Sequence, residues 1–113
     1  MTDKEMLELA AKAAEMKVKG EIDWVDGKTM WLLVKVDGRP KFRWNPLEDD
    51  GDALRLAVKL GMRVEVRGEV ETEAKYWLKS DGYNYLAEGH FIGSFAATRR
   101  AIVRAAAEIG KGT

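Results

Sequence analysis

Two of the four tryptophans in this 113-residue chain sit among cations on alternating segments, and that mixture is the part of the sequence best suited to chemistry. Trp31 shares one side of its segment with Lys35, and Trp77 shares its side with Lys75 and Lys79. Arg43, Arg63 and Arg67 fall on short alternating segments able to join the same sheet face. Aromatic anchors mixed with arginine are the usual hot spots of protein interfaces. The same groups stack on planar bases and pair with phosphate. The competing arrangement buries both tryptophans under helices and leaves the cations to snorkel out. The candidate binding residues are Trp31, Arg43, Arg63, Arg67 and Trp77.

Other chemistries fail on spacing. The acidic run Glu48-Asp49-Asp50-Gly51-Asp52 suggests a calcium loop, but such a loop needs alternating oxygen ligands and a closing glutamate at position twelve. Leu54, Leu56, Leu60 and Gly61 occupy the downstream positions, so the run reads as a helix start favoured by the macrodipole. His90 is the only histidine and cannot supply a metal site alone. A general base formed by His90 and Glu88 would need the two side chains to converge. No serine or threonine lies in a nucleophile elbow. Gly89, Gly93 and Ser94 lead into a helix without the lysine of a phosphate loop, so Ser94 is expected to be a plain cap. Arg99, Arg100 and Arg104 read as a solvated helix face. The expected activity is binding rather than catalysis, with no catalytic residues, metal or cofactor.

Composition sets the same bounds. The chain is expected to form a single domain over 1–113, long enough to bury one core. Nineteen basic residues offset nineteen acidic ones, which gives no electrostatic case for nucleic acid or anionic membrane as partner. The absence of cysteine excludes disulfides, zinc–thiolate sites and thiol catalysis. The opening Met1-Thr2-Asp3-Lys4-Glu5 lacks a signal-peptide pattern, and no run reaches the roughly 20 apolar residues of a membrane span. A cytoplasmic location is expected.

The elements that must position these residues follow from periodicity. Residues 3–18 read as a helix opened by a Thr2–Glu5 capping box and left at Gly20, with Met6, Leu9, Ala10 and Ala13 inward. A hairpin follows, turning at Asp26-Gly27, with a central return strand over 29–36 and a third strand over 41–44. A second helix spans about 52–60, buries Leu54, Ala57, Val58 and Leu60, and stops at Gly61. Residues 62–67 alternate as a strand, Gly68 marks a bulge or bend, and 69–72 continue the alternation. Strands over 73–79 and 83–91 follow, and a last helix runs from Ser94 to Gly110. The class is α+β, an α/β/α sandwich in the order α-β-β-β-α-β-β-(β)-α, with the segment over 83–91 an optional edge strand interrupted by Gly89. Its mostly antiparallel sheet is expected to hold about five strands.

Three segments resemble a known family. Trp44-Asn45-Pro46-Leu47 with residues 49–61, residues 97–110 and residues 1–14 are similar to small tailed-phage and prophage proteins of the phage ABA-sandwich domain family. The resemblance covers about half the chain, in the family's order, and leaves out 62–92. It implies the α/β/α sandwich and expression inside an infected bacterium. It carries no catalytic residues. The partner it implies is a host bacterial protein, such as a component of an antiviral defence system. The alternative from the residues themselves is a nucleotide-like small molecule, and self-association stays open.

Overall fold

The computed structural model describes residues 1–23 and 30–112. The order is α1 (Asp3–Ala13), β1 (Lys17–Asp23), β2 (Met30–Lys35), β3 (Phe42–Trp44), α2 (Asp50–Lys59), β4 (Arg63–Arg67), β5 (Glu71–Leu78), β6 (Gly82–Gly89), a 3-10 turn (His90–Ile92) and α3 (Ser94–Lys111). This is the expected α+β order. The strands divide between two antiparallel three-stranded sheets, β1-β2-β3 and β4-β5-β6, rather than forming one sheet of about five. β2 is central in the first sheet, as its two apolar sides required. The expected Asp26-Gly27 turn lies outside the described residues.

Local chemistry explains most boundaries. Thr2 and Glu5 close both halves of the capping box on α1. That helix ends earlier than its periodicity suggested, because Glu15 adopts φ 60° and Met16 N–H bonds back to Ala11 O. Residues 17 and 18 join β1, and Gly20 lies within that strand beside a register shift. In α2, Asp49 caps the first turn by accepting from Asp52 N–H at 2.8 Å. Gly61, at φ 64°, ends it in the left-handed region. Gly68, at φ 55°, is not a bulge within one long strand but part of the turn that joins β4 to β5.

One core joins the first sheet to all three helices. Leu32, Val34 and Trp44 from β2 and β3 meet Met6, Leu7, Ala10 and Ala11 of α1, Leu56 of α2, and Ile102 and Val103 of α3. In α1, therefore, Leu7 and Ala11 replace Leu9 and Ala13 as buried positions. A smaller cluster sets Ala101 and Ala105 of α3 against Ala74 and Tyr76 of β5. α3 thus packs on the helices along one side and on the second sheet along another. Its alanines allow this close approach, because short side chains bring the backbones together. Gly110 carries the approach furthest. It is not the helix end but a buried residue one position before it, where any Cβ would lie 2.0 Å from Leu9 O.

α2 is rotated from the orientation that its apolar residues suggested. Asp52, Ala53, Leu56 and Ala57 face inward, whereas Leu54 and Val58 are exposed. The cause is a polar clasp. Asp52 Oδ2 accepts from Asn45 N–H at 3.0 Å, and Asn45 Nδ2 donates to Met30 O at 2.7 Å. Both residues are buried, and a buried carboxylate needs such partners. Drawing Asp52 inward fixes which side of α2 meets the core.

Candidate binding surface

β4, β5 and β6 present one face to α3 and the other to solvent. Antiparallel pairing sets the rungs of the outer face. Arg63 lies opposite Lys75, Glu65 opposite Glu73, and Arg67 opposite Glu71. Across β5, Lys75 lies opposite Tyr85 and Trp77 opposite Tyr83. The inward rungs carry Val64, Ala74 and Leu86 on one row and Thr72 and Tyr76 on others. Period-two alternation thus turns Val64, Ala74, Tyr76 and Leu86 towards the core and leaves Trp77, Tyr83, Tyr85, Arg63 and Lys75 on the other face.

Trp77 is 56% exposed and meets Tyr83 edge-on, with ring centroids 4.9 Å apart. Tyr83 and Tyr85 are each at least two-thirds exposed. Trp77 is therefore displayed on the surface, not covered by a helix. Beside it a shallow hollow of about 330 Å³ is lined by Arg63, Lys75, Tyr83, Asn84 and Tyr85, with no acidic side chain among them.

The charges on this face are unevenly compensated. Like charges directly opposite on neighbouring strands cost stability. At the Glu65–Glu73 rung, Arg67 bridges the two carboxylates, at 3.5 Å from Glu65 and 3.0 Å from Glu73, and offsets one of their two charges. Those two glutamates hold the Arg67 guanidinium even further into its charged form. At the Arg63–Lys75 rung two positive groups face each other, and among the described residues neither forms a salt bridge, although Glu65 and Glu73 of the next rung line a hollow with them.

The other two candidate residues lie elsewhere. Trp31 and Arg43 sit on the outward side of the first sheet, with the guanidinium 5.4 Å from the indole centroid. The five residues named from the sequence therefore split between the two sheets: Trp31 with Arg43, and Arg63, Arg67 and Trp77 together. Tyr83 and Tyr85 complete the second group and were not singled out in the sequence. Their signal was the alternation Tyr83-Asn84-Tyr85-Leu86, which puts both tyrosines on the Trp77 side. Arg43 also lines a second hollow of about 330 Å³, with Arg39, Arg55, Lys59 and Asp52 around Phe42 and the buried Trp44. There Arg39 lies 5.2 Å from the Phe42 ring centroid, and Arg55 pairs with Asp52 at 2.8 Å.

Several other expectations resolve into structural roles. His90 does not meet Glu88. Its Nε2 lies 2.8 Å from Thr72 Oγ1, which lies 2.8 Å from Thr98 Oγ1, a polar clasp between β5, the 3-10 turn and α3. Thr72 is fully buried and offers no accessible nucleophile. Glu88 instead receives Arg100 at 3.3 Å and Arg104 at 3.1 Å. Arg99 donates to Leu47 O at 2.8 Å and to Asp50 at 2.7 Å. The three arginines of α3 are thus tertiary ties rather than a solvated stripe. Ser94 is the first residue of α3, and the cap position belongs to Gly93, with no side-chain bond.

Among the described residues, no group of three or more carboxylate or histidine side chains is placed to hold a metal. No helix there is long and apolar enough to cross a membrane. No family model, curated protein or solved structure matches the chain.

Proposed function

We propose that this protein acts by binding, and that the outer face of β4-β5-β6 docks an acidic surface of a bacterial host protein. The observation that carries this reading is the Arg63–Lys75 rung. Two like charges stand opposite each other without an ion pair, beside an exposed Trp77–Tyr83–Tyr85 cluster. A carboxylate from a partner would relieve the repulsion and gain charge-assisted hydrogen bonds. The aromatics would supply the desolvated centre that makes such contacts strong. The similarity of the helical segments to phage accessory proteins supports a host protein as partner, with a component of antiviral defence as one such target.

The test is affinity capture from a bacterial host with the wild-type chain and with the double variant Arg63→Glu/Lys75→Glu. A specific protein retained by the first and lost by the second, with both variants equally folded, is the expected result. Retention of the same protein by both variants, or of nucleic acid alone, would overturn the reading.

A second reading, capture of a nucleotide-like small molecule, is favoured by the hollow in which Arg39, Arg43 and Lys59 flank Phe42. Native mass spectrometry of protein purified from the host decides it. A phosphorylated compound that is retained by the wild type and lost on Arg39→Ala would support this reading over the first.

A further inference from the structure

We propose that a second, apolar face is the interface of a weak symmetric dimer. Leu54 and Val58 stand one turn apart on α2 and are 64% and 72% exposed. Val66 of β4 is 53% exposed, and Phe95 of α3 is 75% exposed. Leu54, Val66 and Phe95 border a groove of about 410 Å³ floored by Val64 and Ile102. The clasp on Asp52 creates this face, because it turns Leu54 and Val58 away from the core.

The occupant follows from charge, shape and area. At the edge of the groove, Asp50 and Arg99 pair at 2.7 Å and neutralise each other, so no charged partner is selected. The chain carries no formal net charge, so two copies meet without long-range repulsion. A two-fold contact needs a projection and a recess within one patch. Phe95 is the projection and the adjoining groove is the recess, so a two-fold axis seats each Phe95 in the other copy's groove.

The four exposed side chains present about 400 Å² at the usual areas of aliphatic and aromatic groups. If they form the apolar two-thirds of a homodimer interface, each copy buries about 600 Å². The total of about 1,200 Å² is the lower end for a specific interface, the range of weak and reversible contacts. This face lies on a different side of β4-β5-β6 from the Trp77 surface, so the dimer and the proposed partner do not compete for the same residues.

Sedimentation equilibrium of the purified chain, from about 1 µM to about 1 mM, is the test. The expected result is a reversible rise from monomer to dimer mass. Phe95→Asp should weaken the association at least tenfold while leaving the circular dichroism spectrum unchanged, and Val58→Asp serves as a second variant. A chain that stays monomeric across the whole range would overturn the proposal. So would a dimer insensitive to both variants, or one dissolved by Trp77→Ala instead.

Discussion

Replacing Gly110 by alanine sets two effects of opposite sign against each other. Alanine is the better helix former, worth about 0.8–1.0 kcal/mol over glycine in a helix interior. Against that, the added Cβ would sit 2.0 Å from Leu9 O and 2.8 Å from Leu9 C. Ordinary heavy-atom separations are about 3.5–4.0 Å, so α1 and α3 must part by more than about 1 Å. The obstacle is backbone, which cannot rotate away as a side chain can. Overpacking of this kind costs about 1–3 kcal/mol, and a rigid obstacle places it near the upper end. The same seam holds Leu7, Ala10 and Ala107, which would lose contact together. The net expectation is a loss of about 2 kcal/mol. With an unfolding entropy of about 2.1 cal/mol/K per residue over the chain, Tm should fall by about 8 °C. Urea melts with an unchanged slope give the free energy directly. Gly112→Ala is the control, since its Cβ would meet nothing closer than 3.7 Å and should change stability by less than about 0.5 kcal/mol. A Gly110→Ala variant as stable as the wild type would refute the packing argument for α1 against α3.

Asp49→Ala removes the cap of α2 and should lower the urea-derived stability by about 1 kcal/mol; no change would mean that the cap contributes nothing. Trp77→Ala should cost about 1 kcal/mol of stability, chiefly the edge contact with Tyr83. A loss above about 3 kcal/mol would instead mark Trp77 as a core residue and remove it from the binding surface. Hydrogen bonds from Thr2 hold the Glu5 carboxyl below its ordinary value of 4.5. A depressed carboxylate contributes stability above the unfolded value and loses it as pH falls through the folded one. Acid titration of Thr2→Ala against the wild type should therefore show a smaller stability loss below about pH 4.5 in the variant. Parallel curves would contradict the capping-box assignment. Finally, Tm should be unchanged in excess chelator; a drop reversed by one added metal would reveal a site in the acidic segment.

How much of this was legible in the chain depends on the distance over which each residue acts. Thr2 with Glu5, Asp49 before α2, Gly61 after it, and the alternation from Arg63 to Arg67 all work within a few residues. Their hydrogen bonds and backbone preferences are complete once the local sequence is written, so the element order and the α+β class could be read directly. Trp77 could also be placed on the polar side of its strand, because period-two alternation is local. Whether that side was open to water could not, since only the docking of α3 on the opposite face leaves it exposed. Leu54 and Val58 are apolar yet exposed, because the rotation of α2 is set by Asn45 and Asp52, whose backbone and side-chain bonds form only in the folded chain. Gly110 read as a helix stop and proved to be a contact, because the atom it must accommodate belongs to Leu9, at the other end of the sequence. The division of six strands into two sheets, and with it the separation of Trp31 and Arg43 from Trp77, was likewise a tertiary decision. Strand pairing is a choice among distant partners, and the alternation of a single strand is satisfied equally well by any of them.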